Sequence, residues 1–391
     1  MYPDLSFFIH QTFGIHLSGL SIIKMFGLML ATAFLAAGYV LSLELHRKEA
    51  EGVFKGIEYE RIIGEQPTFW AIFGTALYGF LFGTKFSYIV TNFEDFKIDP
   101  AQGLFSPAKV TALSLAIGAL LGAIFGYSKY AEMKKSALPT PKTEKYTLMP
   151  SERVGDMVIV AAVSGIIGAK LFAIAEYMDQ FWADPIGTLF SGSGLAFLGG
   201  LIGGTIGCVL YARYIRIPVI HLADTAGIAV ITGYGVGRIG CQLSGDADWG
   251  IPNPAPTPDW WFLPKWMWSF DYPHNVAQQG KHIAGCVGEY CQQLEVPAYP
   301  TPFYETMLCA LIFGILWALR KRIKVSGVLF CVFLWLIGIE RFLIEYMRHN
   351  DLYNVLGFHF SQAQIISLVM MLGGTLWAAW LYKNHKAEVE N

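Results

Sequence analysis

An arginine and two aspartates follow an apolar, glycine-rich stretch in the segment GVGRIGCQLSGDADWG, residues 235–250. The charged residues are Arg238, Asp246 and Asp248. Charged side chains are costly in hydrocarbon and usually face a bundle interior or a polar cavity. A guanidinium also matches the oxygens of a phosphate through two parallel hydrogen bonds. The segment therefore predicts an anion site at the end of a membrane helix, with carboxylates that orient the arginine.

A second charged segment, GIERFLIEYMRHND, begins at Gly338. Arg341, Glu345 and Arg348 stand at i, i+4 and i+7, which places them on one face of a helix, while Glu340 points elsewhere. One interpretation is an ion network inside the helix bundle. The other is an anion site for a lipid phosphate. The glycines near Arg238 would leave room beside it: Gly233, Gly235, Gly237 and Gly240.

The elements that carry these charges are predicted to be membrane helices. The chain has 391 residues, of which 54% are hydrophobic and 15% are charged, against about 25% charged in soluble domains. Apolar runs of about 20 residues recur, long enough to span a bilayer, and the alternating strands of a barrel are absent from the sequence. We predict an all-α polytopic integral membrane protein with about nine spans. They lie near 20–44, 69–93, 107–128, 154–178, 195–213, 221–241, 302–319, 326–347 and 361–382.

The orientation of the spans follows from the positive-inside rule. Basic residues concentrate in alternate loops, for example Lys134, Lys135, Arg320, Lys321 and Arg322, whereas the opposite loops hold Lys97, Lys265, Lys281 and Arg348. The N-terminus is then predicted outside and the C-terminus in the cytoplasm. Residues 1–20 lack the basic start and cleavage site of a signal peptide. A net charge of −2 gives no indication of nucleic-acid binding.

Two stretches are alike at an offset of 85 residues, one starting at Phe96 and the other at Phe181. Both carry Asp-Pro and Leu-Phe at the same places, and Gly83 and Lys85 match Gly168 and Lys170 upstream. We predict that 69–130 is an inserted helix pair repeating 154–215 with the same direction. Parallel repeats occur in transporters. Local duplication is the interpretation that we favour, because only the second copy is glycine-rich.

The loop 242–301 is predicted to form a small head outside the membrane, where its Trp residues suit an interfacial surface. It contains Cys286 and Cys291, and an oxidising compartment favours a disulfide between them. The alternatives are two free thiols, or a metal site completed by His274 or His282.

These segments together resemble the prolipoprotein diacylglyceryl transferase family. GRIGCQLSGDADWG is similar to the family signature G-R-x-G-N-F-x-N-x-E with a following glycine. The four other similar stretches are KMFGLML from Lys24, GLAFLGGLIGG from Gly194, YPTPFYE from Tyr299 and IERFLIEYMR from Ile339. SQAQIISLVMMLGG then resembles the final family helix. The family has seven spans, so the inserted pair gives nine in one membrane domain, 1–391.

The resemblance implies transfer of the diacylglyceryl group of phosphatidylglycerol to the lipobox cysteine of a preprolipoprotein, at the outer face of the bacterial inner membrane. No metal, cofactor or nucleic acid is implied. Arg238, Arg341, Asp246 and Glu345 are the expected catalytic residues, with the two arginines on the lipid phosphate. Further substrate-binding residues are expected at Arg348, Gly199, Gly200, Gly237, Gly240, Gly245, Tyr304 and Glu305.

The sequence departs from the family at several of these positions. Leu198 stands where the family has a histidine, a candidate base for the thiol. Cys241, Ser244 and Asp246 stand at the signature Asn, Asn and Glu, Phe26 replaces a tyrosine of the first helix, and Ile337 replaces the tyrosine before the second arginine. The main alternative to an active transferase is a catalytically silent relative that binds phospholipid or lipoprotein. A transporter built on the parallel repeat is the other.

Overall fold

The computed structural model describes residues 1–54, 56–93, 96, 110–190, 196–348, 350, 352–355 and 357–390. The chain divides into two compact units, Met1–Phe54 with Ile217–Asn391, and Lys55–Arg216. Both are mostly helical. The first contains helices α1 (Leu5–Phe13), α2 (Met25–Ala50), α9 (Val219–Ser244), α10 (Thr301–Leu319), α11 (Val328–Ile344) and α12 (Gln362–Glu390). The second contains α3 (Phe69–Thr91), α4 (Ala112–Ser136), α5 (Val154–Glu176), α6 (Met178–Ala183), α7 (Pro185–Phe190) and α8 (Phe197–Tyr214).

Six described helices are long and apolar enough to cross a membrane, so this is a multi-pass membrane protein. They are Met25–Ala50, Ala112–Ser136, Pro150–Glu176, Val219–Ser244, Thr301–Leu319 and Gln362–Lys386. The predicted count of nine is not confirmed. The other three predicted spans fall on α3, α8 and α11. Helix α11 has 17 residues, about 26 Å at 1.5 Å per residue, which is shorter than a hydrocarbon core of about 30 Å.

Helix α9 is the centre of the first unit and packs against α2, α10 and α11. Glycines permit these close approaches. A side chain at Gly235 would meet Cys309 Cβ at 2.9 Å, and one at Gly240 would meet Met29 Cβ at 2.9 Å. The apolar core beside these contacts includes Ile228, Ile231, Ile312, Leu316 and Phe333. Close helix packing through small residues is the usual means of association in membranes, and it holds the end of α9 between two neighbouring helices.

A buried carboxylate fixes the start of α11. Asp224 of α9 accepts hydrogen bonds from the backbone N–H of Gly327 at 2.9 Å and of Phe330 at 3.0 Å. It also forms an ion pair with Lys48 of α2, Nζ to Oδ2, at 3.3 Å. Asp224 therefore supplies partners to the free N–H groups at the N-terminal end of a helix and ties three helices together.

We expect Asp224→Ala to destabilise the protein by about 3 kcal/mol, because it leaves Lys48 buried without its charged partner and two N–H groups without an acceptor. Thermal unfolding in detergent measures the change. Glu295→Ala, which removes an exposed acid from the loop between α9 and α10, is the control and should unfold like the unsubstituted protein. Equal stability of both variants would show that Asp224 does not hold the helices together.

In the second unit, α3 packs against α4 and α5 packs against α8. An added Cβ on Gly83 would lie 3.0 Å from Gly118 Cα, and one on Gly168 would lie 2.8 Å from Gly203 Cα. These two contacts join positions that match at the offset of 85. The arm between α3 and α4 falls largely outside the described residues, at 94–95 and 97–109, whereas the arm between α5 and α8 contains α6 and α7 and falls outside them only at 191–195. The duplication therefore stays a prediction, which the shared glycine contacts support.

Three short two-stranded antiparallel sheets accompany the helices in the part of the chain that the structure describes, and the fold is mostly helical, as predicted. Strand β1 (Ile57–Ile63) pairs with β2 (Lys142–Leu148), with Ile57 opposite Leu148. β3 (Lys281–His282) pairs with β4 (Gln292–Gln293), and β5 (Leu352–Val355) with β6 (Phe358–Ser361). All three lie in segments between the apolar helices, where the sequence carries no helical apolar period.

The long loop between α9 and α10 is held in place by hydrogen bonds rather than extended. Gly250 N–H donates to Tyr299 O at 2.9 Å, and Asn253 N–H donates to Pro297 O at 2.7 Å. Cys286 and Cys291 form a disulfide, which confirms the predicted pairing over free thiols and a metal site. His274 Nδ1 lies 2.8 Å from Tyr290 O and 4.0 Å from Cys286 Sγ.

Candidate phosphate site

Arg238 lies near the C-terminal end of α9 and pairs with two carboxylates. Its Nε lies 2.8 Å from Glu305 Oε2, and its Nη1 forms an ion pair with Asp248 Oδ2. The guanidinium also stands over the ring of Tyr234, with 5.0 Å from Cζ to the ring centroid. The planar group is thus held on its edges by carboxylates and on its face by an aromatic ring, an arrangement that suits arginine better than lysine.

Gly245 explains how Asp248 reaches Arg238. It caps α9 with φ +66°, in the left-handed region, and its N–H donates to Cys241 O. Glycine adopts this conformation without the steric cost of a Cβ. The turn ends the helix and brings the following residues back to its end. Gly245 therefore has a backbone role, and the substrate contact predicted for it stays a prediction.

Glu305 is the centre of the charged cluster. It lies in the first turns of α10, and its side chain is fully buried. Beside the contact with Arg238, its Oε1 lies 3.1 Å from Arg341 Nη1 and 3.6 Å from Arg348 Nη1. One carboxylate therefore receives three arginines from three different parts of the chain. A buried charge needs such partners, because removing it from water costs several kcal/mol.

Arg341 and Glu345 pair as the spacing predicts, with 3.0 Å between Nη2 and Oε2. The prediction of one continuous helical face was wrong for Arg348. Helix α11 ends at Ile344, a 3₁₀ turn covers Glu345–Met347, and Arg348 has extended backbone. Arg348 enters the cluster from this extended segment. The helix ends here because the next residues pair with the loop after α9, where Ile251 N–H donates to Met347 O at 2.8 Å.

Asp248 bridges two arginines with its two oxygens. Oδ2 pairs with Arg238 and Oδ1 pairs with Arg348 Nη2. The backbone carbonyl of Asp248 accepts from Thr301 Oγ1 at 3.0 Å. Its side chain is 24% exposed, against 0% for Glu305. Asp248 is thus the most accessible anion of the cluster, and its oxygens occupy positions that two oxygens of a phosphate would suit.

Asp246 does not join the ion pairs of the described residues, although it was the predicted carboxylate partner. Its Oδ1 is buried without a hydrogen-bond partner, and it lies near Cys241 and Tyr272. Tyr272 is fully buried and donates its hydroxyl to Gln242 Oε1 at 3.0 Å. Burial raises the pKa of the Tyr272 phenol, so this hydroxyl remains a neutral donor beneath the cluster.

The other predicted site residues divide into three groups. Gly237 has open space around its Cα, as the predicted room beside Arg238 requires. The space beside the Gly240 Cα is occupied by Met29. Tyr304 donates its hydroxyl to Met267 O at 2.7 Å. Both residues therefore have structural roles. Gly199 and Gly200 belong to the second unit, where they contact α5. Their relation to Arg238 stays a prediction.

The cluster contains three arginines and three ion-paired carboxylates, Asp248, Glu305 and Glu345. Guanidinium groups matched in this way are fixed in position and ready for a further anion. The sequence predicted that the carboxylates of this segment orient Arg238, but Asp246 and not Asp248 was among the expected site residues. The available signal is that Asp248 follows three residues after Gly245, the glycine that ends α9.

Comparisons with known proteins agree with the resemblance of the motifs. Residues 110–380 match the family profile described as prolipoprotein diacylglyceryl transferase. A protein of Leptospira interrogans is 25% identical over 296 residues, covering 62% of this chain and 85% of its own. A protein of Dehalococcoides mccartyi is 30% identical over 217 residues, which cover 54% of this chain and 71% of its own. A protein of Paraburkholderia xenovorans is 27% identical over 249 residues, which cover 60% of this chain and 79% of its own. All three are named phosphatidylglycerol–prolipoprotein diacylglyceryl transferase.

Proposed function

The chain belongs to the prolipoprotein diacylglyceryl transferase family, and on that premise we propose that it moves the diacylglyceryl group of phosphatidylglycerol to the lipobox cysteine of a preprolipoprotein. The enzyme is a transferase of lipoprotein maturation. The cysteine sulfur attacks the glyceryl carbon that carries the phosphate ester. A carbon–sulfur bond forms, the carbon–oxygen bond to phosphate breaks, and glycerol phosphate leaves with the electron pair. The thiol proton passes to an acceptor.

The observation that carries this proposal is the group of three arginines around Glu305 and Asp248. The leaving group is a phosphate, and its negative charge grows as the carbon–oxygen bond breaks. Fixed guanidinium groups stabilise such developing charge without reorganising during the step. We place the lipid phosphate against Arg238 and Arg348, where it displaces the Asp248 carboxylate. Arg341, held by Glu305 and Glu345, closes the site from α11.

Asp248→Asn is expected to lower the KM for phosphatidylglycerol, because the neutral amide competes less well with phosphate for Arg238 and Arg348. A charge-assisted hydrogen bond contributes about 1.5 kcal/mol or more, so the change should be about tenfold. Steady-state transfer from phosphatidylglycerol to a lipobox peptide gives the KM. Glu295→Gln is the matched acid in the same loop and should leave it unchanged. A raised KM for Asp248→Asn would mean that this carboxylate only orients the arginines.

The topology belongs to the same proposal. The basic loops place the C-terminus in the cytoplasm and the N-terminus outside, with nine spans in the bacterial inner membrane. The loop between α9 and α10 then lies on the outer side, with Arg238 and the lipobox cysteine at one face. Leu198 leaves the histidine position of the family without a base, and the carboxylates near Arg238 are the available proton acceptors.

Complementation tests the activity directly. Expression of the chain in a bacterium with a conditional transferase mutation should restore growth and prolipoprotein modification under depletion. Purified protein in phosphatidylglycerol vesicles should transfer radiolabelled lipid to a lipobox peptide. Binding of phosphatidylglycerol without transfer in the second experiment, together with failure in the first, would identify a silent lipid-binding relative instead.

A further inference from the structure

A group of large apolar side chains is exposed on the loop between α9 and α10, which we call the aromatic patch. It consists of Trp260, Phe262, Leu263 and Trp266. Trp260 is 69% exposed and Phe262 is 91% exposed. Exposed aromatic groups of this size, held together on one segment, mark an interaction surface. We propose that the aromatic patch inserts into the headgroup region of the bilayer and holds the charged site at the depth of the lipid phosphates.

The backbone of the patch is held by contacts of Trp261, which lies between two of its members. Trp261 packs against Trp268 with 5.3 Å between ring centroids, and its Nε1 donates to Pro264 O at 3.3 Å. Trp261 N–H also closes a turn on Pro258 O at 2.9 Å. With the backbone held in this way, the side chains of Trp260 and Phe262 are exposed.

The apolar surface of a membrane helix continues directly into the patch. The ring of Trp266 packs on that of Phe303, in the first turn of α10, with 5.0 Å between centroids. Met307 and Leu311 follow on the same helix face, at one and two turns, and both are exposed. Since α10 is one of the membrane-spanning helices, these side chains face lipid. The patch extends that lipid-facing strip beyond the helix end.

The composition of the segment fits the interfacial layer rather than the hydrocarbon core. Trp is enriched at the membrane–water interface, because its ring is apolar and its N–H is polar. Lys265 lies inside the segment and is exposed, so its ammonium can reach lipid phosphates while the neighbouring rings enter the headgroups. Tyr304, next to Glu305, holds the segment through its bond to Met267 O. The anchor is thus connected to the charged site by adjacent residues.

Nitroxide labelling tests the proposal in the intact protein, without any assumption about transfer. Phe262→Cys and Glu295→Cys are labelled and reconstituted in phosphatidylcholine vesicles containing phosphatidylglycerol. The unsubstituted protein, whose described free thiols are buried or half-buried, gives the labelling background. Oxygen is enriched in the bilayer, whereas a nickel chelate stays in water. We expect oxygen to relax the label at 262 more strongly than nickel, and the reverse at 295.

Equal or stronger relaxation by nickel at 262 would overturn the proposal. So would a label at 262 that is open to nickel in vesicles and becomes protected only after a lipobox peptide is added, because the patch would then bind the peptide. A second variant, Trp260→Cys, repeats the measurement in case the change at 262 disturbs folding. A silent relative without transferase activity would still show the bilayer signal, so the two proposals fail separately.

Discussion

Arg238→Lys is expected to lower diacylglyceryl transfer by about a hundredfold or more, although lysine keeps the positive charge. Arg238 meets Glu305 through Nε and Asp248 through Nη1. An ammonium cannot hold Glu305 and also offer the phosphate that replaces Asp248 a second contact in the same plane. The transfer of radiolabelled lipid to a lipobox peptide measures the loss. Arg238→Ala should abolish transfer while the protein still inserts into the membrane.

Arg320→Lys is the matched control for this change. Arg320 is also a half-buried arginine in an ion pair, 2.5 Å from Glu44 Oε1, and its side chain is 13% exposed against 14% for Arg238. It lies just after the last residue of α10, at the end opposite Glu305. We expect Arg320→Lys to destabilise the protein but to leave the rate of lipid transfer per folded molecule unchanged. Full activity of Arg238→Lys and Arg238→Ala would mean that Arg238 only closes an ion network.

Glu305→Gln should both inactivate and destabilise the protein. The buried carboxylate balances Arg238, Arg341 and Arg348 at 2.8, 3.1 and 3.6 Å. A neutral amide leaves these arginines with Asp248 and Glu345 as their ion-pair partners among the described residues, and breaking a buried ion pair costs about 3–5 kcal/mol. Thermal unfolding in detergent and the transfer assay, both on the same preparation, measure the two effects.

Glu44→Gln separates stability from catalysis. Glu44 is also buried and also receives two arginines, Arg47 at 2.8 Å and Arg320 at 2.5 Å. The two variants should lose similar stability, but only Glu305→Gln should lose transfer among the molecules that remain folded. Equal residual activity in both would assign Glu305 a structural role alone.

The class of the protein and most of its charged site could be predicted from the amino-acid sequence. Apolar runs of membrane length can only be helices in lipid, since every backbone group must be bonded within its own segment. Charges placed in such runs must face the protein interior. Arg238, Arg341, Glu345 and Arg348 could therefore be assigned to a charged site from their types and positions. Glu305 was assigned only through the resemblance of YPTPFYE to a family motif. The cysteine pair was favoured over free thiols and a metal site because both cysteines lie in a loop predicted to face an oxidising compartment.

The pairing of each carboxylate with its arginine could not be predicted, because it depends on how the chain turns after α9. Asp246 and Asp248 are two residues apart, and helical spacing cannot choose between them once Gly245 has ended the helix. The left-handed turn there presents Asp248 to Arg238 and leaves Asp246 beside Cys241. The apolar pattern did not predict where α11 ends either, because that end depends on backbone pairing with a loop about 100 residues away in the chain. Contacts between segments far apart in sequence have no local signal, and they fix the geometry of this site.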